Sequence, residues 1–217
     1  MPRILITSGP TREYLDPVRF LTNASSGKMG KALTCAALTA GFEVTVVTGP
    51  VVCEYPPEAT LVPVTTTDEM LRACLQVFPE CVGAIGAAAP CDFRPIKIAS
   101  EKIKKNDRQL CRQLCNTTGV ESKPIGPVTL TIAFQTTVDI FAELGKIKRA
   151  DQWLVPFALE TADDGQSLAL EKLIKKNGDL ILWNGPSAML GDQAEVAIID
   201  RAGTILANIS GTKAYVA

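Results

Sequence analysis

Lys28-Met29-Gly30-Lys31-Ala32-Leu33-Thr34-Cys35-Ala36-Ala37-Leu38-Thr39-Ala40 carries apolar residues at helical spacing, and the β-branched run Glu43-Val44-Thr45-Val46-Val47-Thr48 follows it as a strand. Upstream, Arg3 to Thr7 is another short apolar run. Residues 3 to 48 therefore read as strand, helix, strand, the unit that lays two parallel strands side by side. The alternation continues with helix-like Asp68 to Phe78 and strand-like Val82 to Ala88. Further on stand strand-like Trp153 to Leu159, helix-like Gln166 to Asn177 and strand-like Asp179 to Trp183. The expected fold is α/β, a doubly wound (Rossmann-like), mostly parallel sheet.

Glu195 to Asp200 and Thr204 to Ile209 flank Arg201-Ala202-Gly203 and read as a terminal β-hairpin. Residues from about 96 to 137 fit no strand–helix unit. Lys102-Ile103-Lys104-Lys105 and Thr129 to Phe134 read there as two extended arms of a β flap, joined by a polar connector at about 106–127. Loops this long inside compact domains are usually functional. A length of 217 residues suits one domain, 1–217, with this flap or dimerisation insertion.

Hydrophobic residues at 47% and charged ones at 21% fit a packed globular chain. A net charge of −1 provides no general field for nucleic acid or an anionic membrane, so an anionic ligand must meet locally placed cations. No stretch approaches the roughly 18 to 20 apolar residues of a membrane span, and Met1-Pro2-Arg3 runs into a strand rather than a signal peptide. A cytoplasmic protein is expected. Seven cysteines without a CxxC pair, and no histidine, point to reduced thiols rather than a zinc site. Without histidine there is no imidazole base and no Ser-His or Cys-His nucleophile. The chemistry must run on amide, carboxylate, lysine and backbone groups.

Open parallel sheets bind ligands beyond the carboxyl ends of their strands. The first strand end carries Thr7-Ser8-Gly9-Pro10-Thr11-Arg12-Glu13, then Asp16-Pro17-Val18-Arg19, then Asn23-Ala24-Ser25-Ser26-Gly27-Lys28-Met29-Gly30. Gly27 and Gly30 allow close approach, and the free N–H groups of a first helical turn suit a phosphate. Taken alone, a GxxG at a helix start is better read as tight helix-to-sheet packing. Lys172, Lys175 and Lys176, taken alone, read as a solvated helix face.

Together, these segments resemble the signature of the phosphopantothenoylcysteine synthetase family, which has a T-[AS]-G-x-T-x-E stretch, D-P-V-R and N-x-S-S-G-x-M-G in that order. The resemblance extends to Ala87-Ala88-Ala89-Pro90-Cys91-Asp92-Phe93, Glu101-Lys102-Ile103-Lys104-Lys105, Phe157-Ala158-Leu159-Glu160-Thr161, the Lys172 to Asn177 helix end, and Asn184. It implies a ligase of coenzyme A biosynthesis. The carboxylate of phosphopantothenate attacks a nucleotide's α-phosphorus with pyrophosphate release, and the amine of cysteine then attacks the acyl-nucleotide.

By the same resemblance, Asn23 handles the intermediate and Lys102 is a flap lysine that closes on phosphates. Arg19 reaches the substrate phosphate across a homodimer interface, giving a shared active site. Ala88, Ala89 and Asp92 receive the pantothenate part. Ser25, Gly27, Gly30, Phe157, Lys172, Lys176 and Asn184 hold the nucleotide. CTP is the expected nucleotide with ATP as the other choice, accompanied by Mg²⁺, in a stand-alone bacterial-type synthetase without flavin. Thr137-Val138-Asp139-Ile140 and Asn184-Gly185 depart from the family's N-P-D-I and N-D, and members usually continue beyond Ala217 into a terminal helix. Two other readings stand beside this one. One is a catalytically inactive nucleotide-binding relative. The other is an NAD(P)-dependent Rossmann reductase, although no full GxGxxG follows the first strand.

Overall fold

The computed structural model describes residues 1–104, 130–159, 164–184 and 191–217. Along the chain run β1 (Arg3–Ser8), β2 (Arg12–Tyr14), β3 (Phe20–Thr22), α1 (Lys28–Thr39), β4 (Glu43–Thr48), β5 (Thr60–Pro63), α2 (Thr67–Val77) and β6 (Gly83–Gly86). There follow β7 (Phe93–Pro95), β8 (Phe134–Thr136), α3 (Ile140–Ile147), β9 (Trp153–Leu159), α4 (Gly165–Lys175), β10 (Leu180–Asn184), β11 (Gln193–Asp200), β12 (Ile205–Thr212) and α5 (Lys213–Val216).

Eight strands form one sheet in the order β12-β11-β10-β9-β6-β1-β4-β5. Pairing is parallel from β5 through β10 and antiparallel from β10 to β11 and across the β11–β12 hairpin. The doubly wound sheet and its terminal hairpin are thus as the periodicity implies. Because β1 is central, both of its faces are buried and consecutive residues are apolar. Leu5 packs with Val47, Met70, Phe78 and Leu144 on the α2–α3 side, while Ile4 and Ile6 pack with Leu33, Ala37 and Val46 on the α1 side. The start of α2 is fixed by a capping box: Glu69 N donates to Thr66 Oγ1 at 3.2 Å, and Thr66 N donates to Glu69 Oε2 at 3.1 Å.

Gly30 presses α1 against β1, since a Cβ there would lie 1.9 Å from Ser8 Oγ and 2.4 Å from Ser8 Cβ. Gly30→Ala is expected to destabilise the fold by about 1–3 kcal/mol, seen as a lower urea midpoint at unchanged slope. A midpoint equal to wild type would contradict this packing role.

The flap differs from expectation. Its arms are β7 and β8, paired antiparallel as Phe93↔Thr136, Arg94↔Gln135 and Pro95↔Phe134. Lys102-Ile103-Lys104 is irregular because the Asp16 carboxylate takes the Ile103 N–H at 3.1 Å, the donor a strand ladder would use. The β2–β3 arm, the short edge strand β5 and α3 were not expected. In α3, Asp139 Oδ1 accepts from Ala142 N at 3.2 Å as the N-cap, and Ile140, Phe141 and Leu144 are buried. The connector at 106–127, together with Lys105, Thr129, Glu160, Thr161 and Gly185, lies outside the described residues.

Cys35, Cys53, Cys74, Cys81 and Cys91 are free thiols. Burial pushes the Cys74 thiol up to about 12 and that of Cys81 up to about 11, which suits core filler rather than nucleophiles. Cys111 and Cys115 lie outside the described residues. No helix among the described residues is long and apolar enough to cross a membrane.

Candidate active site

The carboxyl ends of β1, β6, β9 and β10 open into a cleft of about 860 Å³. The β1–β6 junction is the switch point of the sheet, because β4 lies on one side of β1 and β6 on the other, with α1 and α2 on opposite faces. The strand ends are stitched together there: Ala87 N donates to Thr7 O at 3.1 Å and Ala89 N to Gly9 O at 2.9 Å. Ala88 and Ala89 line the cleft with small side chains, and the exposed Asp92 sits at the same strand end.

Asn23 enters from the end of β3. Its Nδ2 donates to Pro90 O at 2.8 Å and, more weakly, faces Ala89 O at 3.4 Å. The loop then reaches Gly27, the α1 N-cap, at φ 74°, a left-handed conformation natural to glycine. Gly27 has no side chain to cap the helix, Ser26 Oγ accepts only weakly from Lys28 N at 3.5 Å, and no acidic residue occupies the first turn. Its positive dipole end therefore faces the cleft beside Ser25, Ser26 and Lys28.

The opposite wall comprises Phe157 on β9, Asn184 on β10, and Lys172, Lys175 and Lys176 at the end of α4. Lys176 Nζ lies 3.2 Å from Asp139 Oδ1. Asn184 Oδ1 is buried and has no hydrogen-bond partner among the described residues. With Lys28 and Lys213, five lysines line the cleft against two aspartates, Asp92 and Asp139, on a chain of net charge −1. That local excess favours an anion.

Ten of the thirteen residues expected at the site line this one cleft: Asn23, Ser25, Gly27, Ala88, Ala89, Asp92, Phe157, Lys172, Lys176 and Asn184. Gly30, Arg19 and Lys102 do not. Gly30 is buried behind the helix start against Ser8, the packing use that an isolated GxxG allows. Arg19 and Lys102 are exposed, and Arg19 shares one anchor, Asp16, with Ile103, the neighbour of Lys102. The Asp16 side chain is 0% exposed and accepts from Val18 N at 2.7 Å, Arg19 N at 2.8 Å and Ile103 N at 3.1 Å. Arg19 Nη1 lies 2.6 Å from Asp16 Oδ2 and also donates to Ile103 O at 3.0 Å.

Burial alone would raise the Asp16 carboxyl, but those three N–H donors and the Arg19 charge outweigh it and hold the group below the usual carboxylate range. A lowered native value contributes stability that is complete above the unfolded value, about 3.9, and vanishes as pH falls through the native one. Wild type should therefore exceed Asp16→Asn in urea stability at pH 7, and the gap should close toward pH 2. A gap independent of pH would contradict an ionised Asp16.

Lys28, Asp139, Lys175 and Lys213 were not selected from the sequence. Lys28 stands within the quoted loop, and Asp139 precedes an apolar helical pattern, so both carried a signal. Lys213 carried none, being far from the other cleft residues along the chain.

The family model described as DNA/pantothenate metabolism flavoprotein C-terminal domain matches residues 2–122 and 119–217. The chain is 40% identical over 208 residues to a protein named cysteine/cysteine sulfinic acid decarboxylase from an unknown prokaryotic organism, covering 94% of this chain and 52% of that protein. It is 40% identical over 186 residues to the coenzyme A biosynthesis bifunctional protein CoaBC of Bacillus subtilis (strain 168), covering 85% of this chain and 40% of that one. It thus spans about half the length, or less, of these curated relatives. The crystal structure of the C-terminal domain of CoaBC superposes with a TM-score of 0.75 at 33% identity, covering 99% of this chain and 89% of that domain. With the family model spanning nearly the whole chain and a solved CoaBC domain matching it in sequence and fold, this chain belongs to the DNA/pantothenate metabolism flavoprotein C-terminal domain family, the phosphopantothenoylcysteine synthetase family that its motifs resemble.

Proposed function

We propose that the chain is a ligase of coenzyme A biosynthesis, joining the carboxylate of phosphopantothenate to the amine of cysteine at the expense of CTP or ATP. The observation that carries this reading is the lysine-rich cleft at the switch point, which the glycine-capped start of α1 lines together with Asn23 and the small strand end Ala88-Ala89. A carboxylate is a poor electrophile. Its attack on the α-phosphorus expels pyrophosphate and gives an acyl-nucleotide, and the cysteine amine then displaces the nucleoside monophosphate, forming the amide and releasing a proton.

Both steps build negative charge on oxygens that preorganised donors can stabilise. Asn23 holds Pro90 O with one amide hydrogen, and the 3.4 Å contact to Ala89 O is weak enough to yield the other to the reacting oxygen. The helix start, Ser25 and the lysines of α4 take the phosphates. Phe157 packs on the nucleoside. Asn184 Oδ1, buried and without a partner among the described residues, accepts from the exocyclic amine that cytosine and adenine both present. Mg²⁺ enters with the triphosphate as its salt, since it is held mainly by phosphate oxygens and water in such sites.

Arg19 and Lys102 act in a cleft completed by a second copy of the chain. Val18, Phe20, Phe93, Ile96 and Ile98 are exposed apolar residues on the adjoining arms, a surface suited to a homodimer contact. Lys102→Gln should lower turnover about 10- to 100-fold, the worth of one charged hydrogen bond, in a steady-state assay at saturating nucleotide. Undiminished turnover would remove Lys102 from the site. The reading as a whole is tested by pyrophosphate release with phosphopantothenate, cysteine and Mg²⁺, comparing CTP with ATP. Release that depends on phosphopantothenate supports the ligase, whereas nucleotide binding without release from either would point to an inactive relative.

A further inference from the structure

Ser8 and Gly9 stand in the motif at the end of β1, yet neither lines the cleft. They meet the segment Val51-Val52-Cys53-Glu54-Tyr55 after β4, in which residues 51, 53 and 55 are partly buried and alternate with exposed ones. A Cβ on Gly27 would lie 2.8 Å from Val51 Cγ1 and 3.1 Å from Cys53 Sγ, and one on Gly9 would lie 2.7 Å from Val51 Cγ1. Both glycines are left-handed, at φ 74° and 72°. The segment is thus packed directly against two glycine turns, one of which begins α1.

Three hydroxyls tie this segment to the sheet and to the helix start. Tyr55 Oη donates to Ser8 Oγ at 2.8 Å, Ser8 Oγ donates to Gly27 O at 3.3 Å, and the Thr48 hydroxyl meets Tyr55 Oη at 3.2 Å. Each hydroxyl has one hydrogen to give. With the Tyr55 hydrogen on Ser8 and the Ser8 hydrogen on Gly27, the donors run one way, toward α1. Burial pushes the Tyr55 hydroxyl above the ordinary tyrosine range, so it keeps that hydrogen. Ser8 is fully buried, so water does not replace a lost partner. Gly27 O also accepts from Lys31 N at 3.0 Å, the first bond of α1. Because the peptide is planar and trans, fixing Gly27 O fixes the Lys28 N–H on its opposite edge. That N–H belongs to the first turn, whose free N–H groups point out of the helix start.

We propose that Tyr55 is a positioning residue for the polyphosphate: through Ser8, it holds the Gly27–Lys28 peptide in the orientation in which the start of α1 receives a phosphate. The inference rests on the reading of the cleft as a nucleoside triphosphate site, and adds to it two residues behind the cleft wall. Tyr55 and Ser8 reach the ligand only through Gly27. Removing the Tyr55 hydroxyl leaves Asn23 and the α4 lysines untouched, so its effect is confined to the phosphates.

The test is calorimetric titration of the full chain with magnesium pyrophosphate and with CTP and ATP, for wild type, Tyr55→Phe, Ser8→Ala and the double variant. Phe keeps the ring and its packing, and urea unfolding checks that each variant is folded. Tyr55→Phe should weaken pyrophosphate about 3- to 10-fold, the worth of one neutral hydrogen bond, and Ser8→Ala by at least as much. The double variant should fall well short of the sum of the two losses, because Tyr55 acts through Ser8. In turnover, the KM for nucleotide should rise in Tyr55→Phe while the KM values for phosphopantothenate and cysteine stay at their wild-type values. Unchanged pyrophosphate affinity in Tyr55→Phe, additive losses in the double variant, or a rise shared by all three KM values would overturn the proposal. If Ser8→Ala does not fold, the Tyr55→Phe result decides. Tyr55-dependent pyrophosphate binding in a protein without turnover would sink the ligase reading and leave the positioning role standing, whereas a wild type that binds neither pyrophosphate nor nucleotide would end both.

Discussion

Asn23→Asp is expected to cut turnover about 100- to 1000-fold, the range for removing one preorganised donor from a developing oxyanion. Two consequences of the substitution act together. A carboxylate cannot donate to the reacting oxygen, and its charge opposes both that oxygen and the Pro90 carbonyl that the Asn23 amide now holds at 2.8 Å. Stability should change far less than turnover, because Asn23 is only partly buried and its loop is also held by Thr22 Oγ1 donating to Thr11 O at 2.7 Å. Nucleotide binding should persist, since the helix start and the α4 lysines are untouched. Single-turnover kinetics beside urea unfolding separates these effects. Wild-type turnover in the folded variant would remove Asn23 from the chemistry.

The second large effect is expected at Asp16. Asp16→Ala strips three backbone N–H groups of their acceptor, at about 1–3 kcal/mol for each that water does not reach, so a loss of roughly 3 kcal/mol is expected at pH 7. The functional loss should be larger than that stability implies. Arg19 and the Ile103 backbone both lean on this carboxylate, so its removal frees Arg19 and the segment that carries Lys102 at once. Asp16→Asn keeps one acceptor oxygen and should fall between wild type and Ala. Amide hydrogen exchange at Ile103 reports the anchor directly: faster exchange in Asp16→Ala agrees with it, and unchanged protection contradicts it.

The parallel sheet was legible because its strands are buried on both faces, and runs such as Ile4-Leu5-Ile6 and Val44 to Val47 cannot be polar on either side. The elements that were missed are held by single side chains or lie at an edge. β5 is four mostly exposed residues at the sheet edge, and Pro63 interrupts the short apolar stretch Leu61 to Val64 that would otherwise announce a strand. α3 is two turns long and depends on the Asp139 cap. The first arm was expected too far along because Ile103 looks like a strand residue, and periodicity cannot foresee that a carboxylate from residue 16 will take its N–H; the second was expected a few residues early, ending where β8 begins.

The cleft was legible where its residues share a strand end or a loop, as Asn23 to Gly27 and Ala88 to Asp92 do. Gly30 illustrates the converse, since the family resemblance implied a nucleotide contact and its surroundings give it to Ser8, the packing that its spacing alone suggested. Lys213 joins the cleft only through the packing of α5 on α1, a tertiary fact with no local pattern.

The acyl-nucleotide route is tested most directly by following oxygen. With phosphopantothenate labelled with ¹⁸O in its carboxylate, amide formation through an acyl-nucleotide must leave one labelled oxygen on the phosphate of the released nucleoside monophosphate. Mass spectrometry should find that label in CMP or AMP, with unlabelled pyrophosphate. Label in inorganic phosphate together with a nucleoside diphosphate would mean attack at the γ-phosphorus, and would contradict this account of the site.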